Sequence, residues 1–123
     1  MYLVHCDPSI CSPNIGDQII SEYVENALSV ILPEFGQVKF PTQYSPQITT
    51  HHILKNSLAN IVGGSNLLTG NRLRFSQWKF GKMNLLYRFK FILLGVGWWK
   101  YGNDPDLYSR IIYQNILDNR ILH

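Results

Sequence analysis

The middle of this 123-residue chain lacks acidic residues altogether. All eight aspartates and glutamates fall in residues 1–34 or 104–123, whereas residues 35–103 contain nine of the eleven lysines and arginines. Such a concentration of one charge attracts phosphate, carboxylate, acidic polymers or lipid headgroups, unless it is an ordinary solvated surface balanced by acid elsewhere. The nine residues of this basic region are Lys39, Lys55, Arg72, Arg74, Lys79, Lys82, Arg88, Lys90 and Lys100.

Aromatic residues interleave with the cations of the basic region between residues 75 and 89. No recognised nucleic-acid motif accompanies them, so nucleic acid is not an expected partner. We expect the basic region to allow peripheral contact with a membrane or with a lipid-linked glycan instead.

The sequence has no long apolar run, and its first residues are unlike a secretory leader. Its longest apolar segment, residues 91–96, is far shorter than the roughly 20 residues that a membrane-spanning helix needs. Residues 1–17 contain Asp7 and two prolines but no basic start, unlike a signal peptide. With 46% hydrophobic and 15% charged residues, the chain is expected to pack as one domain. The predicted location is the cytoplasm, at the inner face of the membrane where the basic region contacts it.

Cysteine is scarce, which limits the metal sites that the chain could build. Cys6 and Cys11 are the only two cysteines, with His5 beside the first. A structural zinc site takes four ligands, and a second pair is missing because the adjacent His51 and His52 would point in different directions. We therefore expect no metal, and interpret Cys6 as a small apolar residue of a buried strand.

The apolar pattern alternates short strands with amphipathic helices. Predicted strands cover residues 2–6, 37–40, 59–62 and 91–96, and predicted helices cover residues 18–32, 46–58 and 104–119. Asp17 and Asp104 are the expected N-caps of the first and last helices. Residues 66–90 lack a clean period and are predicted to be loop with one or two helical turns.

This alternation predicts an α/β fold with a Rossmann-like three-layer parallel sheet. Residues 121–123 would open another strand where the sequence stops. We therefore expect residues 1–123 to form a single, incomplete domain, and its unfinished sheet edge to favour self-association.

Three glycine-bearing turns are the main candidate for a binding site. Residues 14–17 lie at the mouth of the first helix, and residues 63–66 and 95–97 each follow a predicted strand. Ligands of parallel sheets bind beyond the carboxyl ends of the strands, so these turns are expected to share one crevice. The candidate substrate-binding residues are Asn14, Gly16, Asp17, Gly63, Gly64, Ser65, Asn66, Gly95, Gly97 and Trp98.

The chemistry of these turns leaves several interpretations open. Asn14 and Asp17 could bond a sugar or only shape the loop, and Trp98 and Trp99 could stack on a sugar or pack in the core. Ser65 has no identifiable base partner and is not taken as a nucleophile, so no catalytic residue is assigned. A dinucleotide fingerprint would need a third glycine where Lys100 stands, and no P-loop is present.

The order of these turns resembles the polysaccharide pyruvyl transferase family over nearly the whole chain. The resemblance is carried by an early Asn-x-Gly-Asp that opens a helix at residues 14–20, a Gly-Gly-Ser turn at residues 63–65 and a Gly-x-Gly turn at residues 95–97. In that family a strand with a Ser-x-Arg-Asp type of ending typically follows the last helix, beyond the point where this sequence stops.

The resemblance implies the N-terminal portion of a two-domain enzyme similar to the GT-B class of glycosyltransferases. Such enzymes move a pyruvyl group from phosphoenolpyruvate, their donor substrate, to a sugar hydroxyl of a cell-surface polysaccharide, without a further cofactor. The family's donor-binding arginines and histidines lie mainly in the second half, so this stretch alone is expected to be inactive. Two alternatives remain open: a glycosyltransferase-like enzyme using a nucleotide sugar, and a non-catalytic binding or assembly module.

Overall fold

The computed structural model describes residues 1–74, 76–79, 90–99 and 104–117. The described strands are β1 (Tyr2–Asp7), β2 (Gly36–Pro41), β3 (Asn60–Gly63) and β4 (Phe91–Leu94). The described helices are α1 (Ile15–Ile31), α2 (Ile48–Asn56) and α3 (Leu107–Ile116), with a short 3-10 helix at Pro8–Cys11. No helix among the described residues is both long and apolar enough to cross a membrane.

The four described strands form one parallel sheet in the order β2-β1-β3-β4. Val4 in β1 pairs with Val38 of β2 on one side and with Asn60 of β3 on the other. After β1 the chain continues to β2 at one edge of the sheet, and after β3 it continues to β4 on the opposite side. A crevice opens above the carboxyl ends of two such strands, so this topology confirms the α/β, Rossmann-like prediction and locates a candidate site.

Helices cover both faces of the sheet because side chains alternate between the faces along each strand. Leu3 and Ile61 pack against Val24 and Leu28 of α1 on one face. The larger cluster, on the other face, combines strand residues with α2, α3 and Trp78; it contains Val4, Cys6, Leu54, Val62, Trp78, Phe91, Ile112 and Ile116. Cys6 is fully buried in this cluster, which confirms its interpretation as an apolar core residue.

Both predicted helix caps were wrong by two or three residues. Asn14, not Asp17, caps α1: its side chain accepts a hydrogen bond from the Gly16 N–H at 3.0 Å. Asp106, not Asp104, caps α3 and accepts from the Ser109 N–H at 2.7 Å. In each case several residues near the helix start could have capped, and the observed one has an extended backbone and an oxygen within reach of the first turn.

The other elements differ from prediction mainly at their ends. α2 is shorter than residues 46–58, and β4 ends at Leu94 because Gly95 turns the chain with φ +67°. Much of the predicted loop at residues 66–90 and the predicted strand at residues 121–123 lie outside the described residues. Leu117, just after α3, pairs in parallel with Phe91 of β4.

Candidate functional site

The loop between β1 and α1 is fixed by hydrogen bonds of the Ser12 hydroxyl to α1 and to the loop backbone. The Ser12 hydroxyl donates to the Asp17 carboxylate at 2.5 Å and accepts from the Asn14 N–H at 3.1 Å. Together with the Asn14 cap, these bonds order the start of α1 in a defined position above the sheet.

The turns after β3 and β4 are joined by backbone hydrogen bonds that continue beyond the strands. The Gly64 N–H donates to the Leu94 carbonyl at 2.9 Å, and the Gly97 N–H donates to the Ser65 carbonyl at 2.9 Å. Gly64 and Ser65 both adopt positive φ values, 70° and 68°. A serine in this left-handed conformation is strained, and such strain concentrates at functional sites.

The three turns meet at the carboxyl edge of the sheet and enclose a cleft of about 520 Å³. Seven of the predicted residues line it: Asn14, Gly16, Asp17, Ser65, Asn66, Gly95 and Gly97. Their role in binding a substrate stays a prediction, but their meeting at one edge follows from their positions after parallel strands.

Three of the predicted site residues do not line the cleft. A Cβ on Gly63 would lie 2.6 Å from His5 Nε2, and one on Gly64 would lie 2.1 Å from Ile20 Cγ2. These glycines therefore allow the strand and α1 to approach each other, rather than a ligand to approach the backbone. Trp98 packs against the core with its ring edge-on to Tyr113 at a centroid distance of 5.8 Å, which favours the packing interpretation.

The cleft also contains four residues outside the predicted set: Ile20, Gln77, Val96 and Trp99. Ile20 follows from the position of α1, and Val96 lies between two predicted glycines. From the sequence, either Trp98 or Trp99 could have offered an aromatic face to a ligand. In the structure Trp99 lines the cleft, with 41% of its surface exposed. No sequence pattern pointed to Gln77, because it lies in residues 66–90, which lack a clean hydrophobic period.

The described lining of the cleft is polar but almost uncharged. It offers the amides of Asn14, Asn66 and Gln77 and the hydroxyl of Ser65, and its one ionisable side chain is Asp17. No lysine or arginine is among these residues. Amides, a hydroxyl and an exposed indole are groups that bind neutral, hydroxyl-rich molecules through hydrogen bonds and stacking.

A buried polar cluster lies beneath α1, next to the cleft. Asp7, 1% exposed, accepts hydrogen bonds from the Ser9 N–H at 2.8 Å and the Ser21 hydroxyl at 2.5 Å. Lys39 lies 3.5 Å from the same carboxylate and 2.5 Å from that of Glu25. Burial raises the pKa of Asp7, but the hydrogen bonds from Ser21 and Ser9 outweigh it, so the pKa is lowered and the group stays ionised.

His5 is fully buried beside this cluster, and neither ring nitrogen has a hydrogen-bond partner among the described residues. Burial lowers the pKa of His5 below its ordinary value of 6.5; Asp7 opposes this shift, Lys39 adds to it and Glu25 opposes it. His5 is therefore neutral in the folded protein at neutral pH.

This neutral histidine predicts a loss of stability in mild acid. Between the lowered pKa of folded His5 and the unfolded value of 6.5, the unfolded state binds more protons. The free energy of unfolding should therefore fall as the pH drops below about 6.5, by up to about 1.4 kcal/mol per pH unit. Urea denaturation from pH 5 to 8 measures this slope. His5→Leu should flatten it, whereas the exposed His52→Leu should not; equal slopes in the two variants would contradict the assignment.

Comparison with known proteins supplies no family for this chain, since no protein-family model, no curated protein and no solved structure matches it.

Proposed function

We propose that this chain is the N-terminal part of a polysaccharide pyruvyl transferase-like enzyme, and that its cleft binds the acceptor sugar. The observation that carries the proposal is the convergence of the three glycine-bearing turns on one cleft. The turns carry the sequence resemblance, and their shared lining has the chemistry of a sugar site.

The cleft offers both hydrogen-bond donors and acceptors, which supports a carbohydrate ligand. Side-chain amides both donate and accept hydrogen bonds, as does the Ser65 hydroxyl, so they match the hydroxyls of a sugar. Trp99 adds a half-exposed aromatic face of the kind on which the apolar face of a pyranose ring stacks. The strained Ser65 backbone holds its side chain at the cleft wall.

We assign the cleft to the acceptor rather than the donor because its described lining residues offer amides and a hydroxyl, and none of them is a lysine or arginine. Transfer from phosphoenolpyruvate requires positive groups around the donor phosphate and carboxylate. In the proposed enzyme those groups belong to a second domain, as in a GT-B-like arrangement. The enzyme would act in the cytoplasm at the inner membrane face, where its basic region contacts a lipid-linked glycan.

Binding to the isolated chain tests the acceptor site. Isothermal titration with galactose, mannose, N-acetylglucosamine and their disaccharides should give saturable binding for at least one sugar. Asn66→Ala and Trp99→Ala should each weaken that binding about tenfold, the effect of one hydrogen bond or one stacking contact. Asn56→Ala and Tyr23→Ala, exposed residues outside the cleft lining, serve as matched controls and should bind like the wild type.

The alternatives predict different titrations. Saturable binding of UDP-glucose and of UDP, lost in Asn66→Ala, together with no binding of free sugars, would replace the proposal with the nucleotide-sugar enzyme. Binding of no sugar and no nucleotide would also overturn it. Turnover of phosphoenolpyruvate by this chain alone would contradict the assignment of the donor site to a second domain.

A further inference from the structure

A second cavity, of about 380 Å³, carries positive charge, unlike the described lining of the cleft. Arg72, Arg74 and Lys79 line it, and no described lining residue is an aspartate or glutamate. Three cations at one cavity without a counter-charge repel one another, which disfavours the arrangement unless an anion occupies the cavity or water and salt screen it.

Arg72 is the buried member of this group, with 7% of its surface exposed. Its guanidinium lies over the rings of Trp78 and Tyr113, at 5.9 and 5.4 Å from their centroids, and its Nη2 donates to the Trp78 carbonyl. Its Nη1 has no hydrogen-bond partner among the described residues, and none of their carboxylates forms an ion pair with it.

A buried, unpaired guanidinium is costly, because its charge has left water without gaining a negative partner. Lys39, in the same basic region, differs from Arg72 because it forms ion pairs with both Glu25 and Asp7. Arg74 and Lys79, which line the same cavity, are exposed and form no ion pair with a described carboxylate. These three charges make the cavity suited to binding an anion.

The uncharged part of the cavity lining limits the size and type of that anion. Pro46, Leu73 and Tyr108 add apolar surface to the cavity lining, and Ser45 adds a hydroxyl. Inorganic phosphate would leave this apolar surface uncovered. A phosphate carried on a small organic group would fill both parts, with its charge toward the cations and its carbon skeleton against Tyr108 and Pro46.

We propose that the second cavity, lined by Arg72, Arg74, Lys79 and Tyr108, is a binding site for a small phosphomonoester. Arg72 supplies fixed positive potential from the cavity lining, while Arg74 and Lys79 supply mobile donors to the phosphate oxygens. This site is separate from the cleft and does not depend on the sugar-binding proposal.

Isothermal titration in a low-salt buffer tests the site with phenyl phosphate, inorganic phosphate and benzoate. Phenyl phosphate should bind most tightly, because only it combines a doubly charged phosphate with an apolar ring. Arg74→Gln and Lys79→Gln should each weaken its binding about tenfold, and the double variant should abolish it. Both side chains are exposed, so neither variant should unfold the protein.

Lys55→Gln removes an exposed lysine outside this cavity and is the matched control; it should bind phenyl phosphate like the wild type. Absence of saturable phenyl phosphate binding would overturn the proposal, as would equal weakening in Lys55→Gln, which would indicate a nonspecific charge effect. Inorganic phosphate binding as tightly as phenyl phosphate would overturn the assignment of an organic phosphomonoester. Sugar titrations of the same variants should be unchanged, which separates a failure here from a failure of the proposed function.

Discussion

Replacing Gly64 with valine should lower the free energy of unfolding by about 2–6 kcal/mol. Gly64 has φ +70°, where a side chain strains the backbone, and its added Cβ would lie 2.1 Å from Ile20 Cγ2. Backbone strain contributes about 1–3 kcal/mol and overpacking against α1 contributes about 1–3 kcal/mol more. Urea denaturation followed by circular dichroism measures the loss.

Three alanine variants separate these two effects. Gly95→Ala tests backbone strain alone, since Gly95 has φ +67° and no atom lies within 4 Å of an added Cβ. Gly36→Ala introduces neither backbone strain nor a close contact and is the reference. Gly64→Ala should destabilise most, Gly95→Ala less and Gly36→Ala least. Adding Ile20→Ala to Gly64→Ala should restore part of the stability. A Gly64→Ala variant as stable as Gly36→Ala would contradict the close packing of α1 on this turn.

Trp78→Ala should lower the free energy of unfolding by about 3–5 kcal/mol, the range for removing a large buried aromatic side chain. Trp78 is fully buried, meets Phe91 edge-on at 5.2 Å and lies under the Arg72 guanidinium. Its neighbours Gln77 and Lys79 line the cleft and the second cavity respectively. The variant should therefore weaken both sugar and phenyl phosphate binding.

Chemical denaturation and the two titrations check these effects in one variant. Trp99→Ala is the control: Trp99 is 41% exposed, so its loss should destabilise the protein much less and affect only sugar binding. A loss below about 0.5 kcal/mol in Trp78→Ala, within the range of ordinary surface substitutions, would contradict its burial against Phe91.

The sheet could be predicted from sequence because its strands are short and apolar between helices of clear period. Helices cover both faces of the sheet, so β1 and β3 are buried along almost their whole length and their sequences are largely apolar. Glycine after a strand likewise predicted the turns, and with them most of the cleft. The family, the activity and the self-association remain predictions.

What sequence reasoning missed depends on contacts between distant residues. Trp78 stands in a stretch without a period, and its burial arises from Phe91 and Arg72, which no local pattern reports. The cap of α1 is Asn14 because the helix begins at Ile15, three residues before the predicted start, which places Asp17 inside its first turn. In sequence the cations of the basic region look alike. In the structure Lys39 forms an ion pair with Glu25, whereas Arg72 is buried and forms no ion pair with a described carboxylate.

The central claim is that the three turns form one sugar-binding cleft, and amide chemical shifts test it most directly. In a ¹⁵N-labelled sample titrated with the sugar panel, shifts should concentrate at the Gly16, Ser65, Asn66 and Gly97 amides and at the Trp99 indole. They should move together along one binding curve, while the amides of Arg74 and Lys79 remain unmoved. Shifts confined to the second cavity, or none with any sugar, would contradict the account.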